Sequence, residues 1–285
     1  MKSPFFRQSW FLVLVSGLVL LVAADWALVA TSNPNYLPTV ILIGAFLVPV
    51  TFVVYTYGRV PIGEIPFPSV AVIFVWGGVL GSVVAGYLEY QTARNLPVLM
   101  IVGVGLIEES AKLVLPVIYF FRNRYCPEGD GILFGVAAGM GFAALETMGY
   151  ALVAMMGSQG SVNALHQTLI IRGLLSPAGH AAWTGIVCGV LWRERARLGH
   201  ASLGWPVIGA FLLVVFLHSL WDVMGSVSSV LGPKFAALDF VNLAAIGGVS
   251  LWLLIRRMHE AGGSGRPIAS GSCILKDDER NLTKQ

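Results

Sequence analysis

Long apolar runs joined by short polar connections make up most of the chain: Trp10 to Ala30, Pro38 to Tyr57, Val70 to Leu88, Pro97 to Phe121, Gly131 to Met156, Leu169 to Trp192, Trp205 to Gly225 and Phe235 to Ile255. Each is close to or above the roughly 20 residues that a helix needs to cross a bilayer. The pattern predicts an all-α, polytopic membrane helix bundle of about eight transmembrane helices. The fourth run, "LMIVGVGLIEESAKLVLPVIYFF", is interrupted at its centre by Glu108, Glu109 and Lys112. An ionised side chain at a helix centre costs about 2.5–3.5 kcal/mol on insertion scales, so such a cluster points to function.

Polar residues also stand inside other spans: Glu146 in the fifth, His180 with Arg172 near its entrance in the sixth, and His218 with Asp222 in the seventh. At 3.6 residues per turn, Glu108 and Lys112 share a helix face, Glu109 and Lys112 are neighbours, and His218 and Asp222 repeat the i, i+4 relation. These groups also share a depth. Glu108 lies about eleven residues, or about 16 Å, from the outer end of its span, and Glu146 about ten residues from the same side. His180 lies roughly eleven residues past Leu169, and His218 roughly seven before Gly225, which puts both in the same band. Asp25 and Glu89 sit nearer span ends and are read as structural. Gly131, Gly135 and Gly139 recur every four residues, a spacing that lets helix backbones approach closely.

Composition agrees with a membrane protein: of 285 residues, 56% are hydrophobic and only 12% charged, against roughly 25% charged in soluble domains. Orientation follows from the basic residues. With a cytoplasmic N-terminus, inside segments carry fourteen Lys and Arg and outside segments only Arg94 and Lys234. Both termini are therefore expected in the cytoplasm, in a multi-pass protein of the cell membrane. The net charge of +3 records this topology and gives no reason to expect a nucleic-acid partner. Residues 1–258 read as one transmembrane domain with a motif core at 97–225, and 259–285, rich in Gly, Ser and charge, as a disordered cytoplasmic tail. Cys126, Cys188 and Cys273 fall on the inner side or in a span, so a reduced chain is expected.

Four carboxylates, two imidazoles and an ammonium in one low-dielectric region cannot all be ionised and unpaired. A divalent metal such as zinc resolves the conflict, because His and carboxylate are its ordinary ligands and an open position holds an activated water. The metal-free alternative has a glutamate take the proton from water directly, assisted by His.

"EESAK" (Glu108, Glu109, Lys112), "FAALE" (Glu146), "RGLLSPAGH" (Arg172 to His180) and "HSLWD" (His218, Asp222) resemble, in order, the four motifs of the PrsW family of intramembrane proteases. That family is distantly similar to the CAAX-prenyl endopeptidases and bacteriocin-immunity membrane proteins. The resemblance implies an enzyme that cuts membrane-anchored protein substrates, an anti-sigma factor among them, on the extracytoplasmic side of the bilayer. It implies a catalytic set of Glu108, Glu109, Lys112, His180, His218 and Asp222, with Glu146, His180 and His218 as candidate metal ligands. The sequence departs from the family at Thr147, where Asn is usual, and Asp222 stands where the distant relatives have Asn. Two other classes share such buried polar groups: a proton- or ion-coupled transporter, and a non-catalytic scaffold on the same fold.

Overall fold

The computed structural model describes residues 4–63, 65–95, 100–122, 125–226, 231–232, 234 and 236–263. The elements are α1 (Pro4–Thr31), α2 (Leu37–Arg59), α3 (Phe67–Asn95), α4 (Met100–Phe121), α5 (Glu128–Gly157), α6 (Val162–Leu175), α7 (Ala182–Leu198), α8 (Trp205–Met224) and α9 (Ala236–Gly263). A π-helical turn, Pro177–Ala181, joins α6 to α7. No strand occurs among the described residues. Seven segments are long and apolar enough to cross a membrane, α6 and α7 counting as one broken span of 37 residues. The eighth crossing is α4, which has the length, 22 residues, and differs from the others in its three central ionisable groups.

The expected spans all reappear as helices, with one difference. The sixth begins earlier, at Val162, where Ser161 caps the helix by accepting from the Ala164 amide at 3.3 Å. Pro177 has no amide proton and cannot continue the α-helical ladder. The chain responds with a π turn in which the Ala181 amide reaches back to the Ser176 carbonyl, while Ser176 Oγ donates to the Gly173 carbonyl at 2.9 Å. At the other end of the chain, α9 continues through Gly263, past the expected start of the tail at 259. Residues 264–285 of that expected tail lie outside the described residues.

The bundle is built around α5. Of its most apolar stretch 83% is buried, whereas the corresponding figure for α1 is 6%. The helix packs mainly between α3 and α7, and its sequence explains how. A Cβ placed on Gly131, Gly135 or Gly139 would collide with the carbonyls of Cys188, Thr184 and His180 on the far side. On the opposite face, Gly141 lies against the Phe74 carbonyl and Gly78 against Gly141 itself. Small residues thus allow backbone-to-backbone contact on both sides, which is how helices associate where lipid removes the hydrophobic drive. Large apolar side chains point outward instead, including Trp26, Val83, Val153 and Leu174, as lipid contact requires.

Polar clamps secure the end of the bundle opposite the shared polar depth. Arg195 is buried on α7 and donates to the Phe120 carbonyl at 2.7 Å and to the Tyr125 carbonyl, which Trp192 Nε1 also reaches at 2.8 Å. Asp130 Oδ1 accepts from the Gly63 amide at 2.7 Å. At the other end of the bundle, Asp25 on α1 meets His166 on α6 at 2.6 Å. Cys188 is free and buried. Cys273 lies outside the described residues.

Replacing Gly135 by Leu is expected to force α5 from α7, costing more than the about 1–3 kcal/mol typical of overpacking because the clash is with backbone. Thermal unfolding in mild detergent should show a clear loss for Gly135→Leu and none for Gly149→Leu, since a Cβ on Gly149 meets nothing within 4 Å.

Candidate functional site

Five helices and the π turn converge on the shared polar depth. From α4, Glu108, Glu109 and Lys112 are 5%, 1% and 0% exposed. Lys112 Nζ lies 2.9 Å from Glu108 Oε2 and 2.8 Å from Glu109 Oε1, the two pairs that the i, i+4 and i, i+3 spacings bring together. Its third contact is 2.9 Å to His180 Nδ1 on the π turn. The ring of Phe142, from α5, covers the ammonium at 4.3 Å. An ammonium has three protons to donate and no lone pair, so His180 Nδ1 must accept. The proton of a neutral His180 then sits on Nε2, which faces Glu146 Oε2 at 3.2 Å.

His218 on α8 completes the inner layer. Its Nδ1 is 3.0 Å from Glu109 Oε1, and because the carboxylate can only accept, Nδ1 is the donor. Its Nε2 lies 3.5 Å from Glu108 Oε2 and 3.8 Å from Asp222 Oδ2. Glu109 thus accepts from Lys112 and His218, and from Thr184 Oγ1 on α7 at 3.2 Å. Three buried donors on one carboxylate hold it rigidly. The outer layer is more open. Arg172 NH2 reaches Glu146 Oε2 at 2.8 Å and its guanidinium lies 4.0 Å over the ring of Tyr150. The Asp222 side chain is 40% exposed.

A cavity of about 430 Å³ opens onto Glu108, Glu146, His180, His218 and Asp222. Glu109 and Lys112 stand behind this wall and do not line it. All seven residues expected from the sequence therefore meet in one place, in two layers. Among the described residues, the donor atoms of Glu108, Glu146 and His180 lie within 4.8 Å of one another and could hold a metal ion. Glu108, expected in the catalytic set alone, is part of this trio. His218, expected among the ligands, is directed toward Glu109 and Glu108 instead.

The trio fits a divalent metal. Two carboxylates and an imidazole are an ordinary zinc donor set. Glu146 Oε2 is buried and makes no hydrogen bond of good geometry despite the Arg172 guanidinium and the His180 imidazole beside it. Lys112 orients Glu108 from behind. A neutral imidazole has one N–H, so His180 ligates through Nε2 only when that proton moves to Nδ1 and the Lys112 contact there is given up.

Sequence reasoning missed Trp183 and Thr184. The indole stacks on His218 with centroids 4.4 Å apart and planes at 24°, and its Nε1 donates to Ser250 Oγ on α9 at 3.0 Å. The clue available was position: Trp183 and Thr184 fall one turn after His180, on the face that bears the polar cluster.

Lys112→Met leaves two buried carboxylates without their cation, and breaking a buried pair in this way costs about 3–5 kcal/mol. The double variant Lys112→Met/Glu109→Gln should regain a substantial part of the lost unfolding temperature in detergent, since it removes one charge of each sign.

Comparison with known proteins matches the same region. A family model described as PrsW family intramembrane metalloprotease matches residues 65–255, from just before α3 to within α9. The chain is 33% identical over 123 residues to Protease PrsW of Halalkalibacterium halodurans, covering 42% of this chain and 51% of that protein. It is 27% identical over 168 residues to Protease PrsW of Geobacillus kaustophilus, covering 58% and 65%. The matched part spans about half to two thirds of the length of these curated relatives. No solved structure matches.

Proposed function

This chain belongs to the PrsW family of intramembrane proteases, and we propose that it hydrolyses a peptide bond in membrane-anchored protein substrates near the extracytoplasmic side of the bilayer. The observation that carries the reading is the single cavity lined by Glu108, Glu146, His180, His218 and Asp222 inside an otherwise apolar bundle. Peptide hydrolysis needs a water, a base to take its proton and an acid to protonate the leaving amine. Carboxylates and imidazoles side by side are the groups that do this near neutral pH.

Glu108, Glu146 and His180 would hold the metal, with zinc the ion best suited to them. When bound, such an ion polarises a carbonyl and makes water a stronger acid. The chain's own residues supply the rest. Lys112 and Glu109 are positioning residues, since they lie behind the cavity wall and act through His180, Glu108 and His218. His218 keeps one proton at Nδ1 on Glu109; its Nε2, between Glu108 and Asp222, takes up the proton that Glu108 removes from water and, as the imidazolium, is placed to pass it to the leaving amine. Asp222, at the rim, steadies that imidazole. Without a metal, Glu108 is the group exposed to the cavity that would take the proton from water. Trp183 keeps one face of His218 dry.

The charge bias supports a multi-pass protein of the cell membrane with both termini cytoplasmic, and so puts the site toward the outer side. On this reading 1–258 is the protease domain, 97–225 its motif core and 259–285 an appendage. The substrate class is a membrane-anchored protein, and the family resemblance puts anti-sigma factors first among candidates.

Metal analysis of protein purified in mild detergent, by mass spectrometry, is the direct test. About one divalent ion per chain is expected, lost in His180→Ala and Glu146→Gln variants that keep the wild-type unfolding temperature. Protein that neither carries nor takes up zinc would sink the metal-assisted version. Cleavage of a panel of single-span membrane proteins should fall by about 100-fold or more in Glu108→Gln, and the absence of cut products with the wild type would overturn the protease reading.

A further inference from the structure

A second cavity, of about 400 Å³, adjoins the one that holds the polar site. The two have Tyr150, Arg172, His180, Trp183, Trp221 and Asp222 as a common wall. Beyond that wall they differ in chemistry. Glu108, Glu146 and His218 line only the first, whereas Ile171, Leu175 and Leu243 line only the second, together with Gly179 of the π turn. Glu108, Glu146 and His218 are confined to the first, while the second sets three apolar side chains beside polar ones such as Thr147 and Ser176. The second compartment lies between α6 and the pair α8 and α9, and α6 packs chiefly on α2 and α5. A cleft on that side faces the lipid, the direction from which a membrane-anchored segment arrives.

Arg172 stands at the junction. One end of its guanidinium is engaged by Glu146 and its face by Tyr150, while its Nε is buried with no hydrogen-bond partner. That nitrogen is shielded from the cleft, so the N–H groups offered to an entering peptide carbonyl are those of the guanidinium that Glu146 does not engage.

We propose that the second cavity receives an apolar substrate side chain next to the scissile bond, while the Arg172 guanidinium donates to a backbone carbonyl of the same segment. The proposal rests on the protease reading above and adds what the enzyme selects. Continuity decides for a peptide as the occupant: a segment seated on Ile171, Leu175 and Leu243 passes Arg172 directly into the compartment of Glu108 and His218. Leu175 and Leu243 set the size of the side chain accepted.

The probe is a set of single-span membrane proteins whose outer juxtamembrane eight residues are randomised, incubated with the purified enzyme and read by mass spectrometry of the cut ends. Wild-type cuts are expected to be enriched in Leu, Ile, Met or Phe at one position flanking the bond. Leu175→Trp should move that preference toward Ala, Gly or Ser by about tenfold, and Leu175→Ala toward larger side chains, as apolar pockets discriminate on this scale. Arg172→Gln should raise KM about tenfold with kcat within about threefold of wild type, and Arg172→Lys should recover part of the loss. A purely structural role for Arg172 would instead lower the unfolding temperature and leave KM unchanged. Cutting with an unaltered side-chain preference in both Leu175 variants overturns the subsite. No cutting by wild type overturns the protease reading first, and is told apart by that.

Discussion

A single buried ammonium organises this molecule. Lys112 is fully enclosed, and a charge so placed is tolerated only if its three protons all find acceptors. It finds them on Glu108, Glu109 and His180, and that requirement fixes the relation of α4 to the π turn. The same contacts set which nitrogen of His180 carries the proton and leave Nε2 facing Glu146. His218 is then oriented through Glu109, the carboxylate Lys112 pins most deeply. Removing any member exposes the others to an uncompensated charge in a medium without water.

Such a network works only where helices approach closely. Carboxylate and imidazole side chains are short, so contacts of about 3 Å between residues on different helices demand close axes. The glycines of α5 supply this. Gly139 lies against the carbonyl of His180 itself and Gly135 against that of Thr184, so the stripe that packs α5 on α7 also sets the distance across which Glu146 meets His180. The π turn contributes in a different way. Pro177 removes one rung of the ladder, and the wider turn that follows aims His180 at Lys112 and Glu146 together.

Much of this was legible in the sequence because it is periodic. Eight apolar runs gave the crossings, and the i, i+3 and i, i+4 spacings around Lys112 and around His218 gave pairs that the structure contains. The shared depth of Glu146, His180 and His218 needed only the helical rise and an alternating topology. What escaped was information that no single helix holds. Trp183 is an ordinary apolar residue in its own span, and it becomes part of the site only because α8 places His218 beneath its ring. Thr184 and Ser250 are likewise unremarked small polar residues until a partner from another helix meets their hydroxyls. The allocation of His218 and Glu108 between catalytic and ligand sets turned on interatomic distances of a few ångströms, below what helical counting resolves.

The adjacent pair Glu108 and Glu109 shows how identical side chains acquire different duties. One residue along a helix is a rotation of about 100°, enough to direct Glu108 to the cavity and Glu109 to the interior formed with α7 and α8. Glu109, engaged by Lys112, Thr184 and His218, stands behind the cavity wall, out of reach of water and substrate. Glu108 has one oxygen committed to Lys112 and the cavity before it. The buried carboxylate therefore makes the exposed one usable: it shares the Lys112 charge and holds His218 at the distance from which Nε2 faces Glu108. A chain with only the outer glutamate would leave the ammonium and the imidazole each short of a partner. The doubled acid in "EESAK" thus lets a polar cavity sit within an apolar bundle: the inner member satisfies the buried cations and donors, and the outer member lines the cavity.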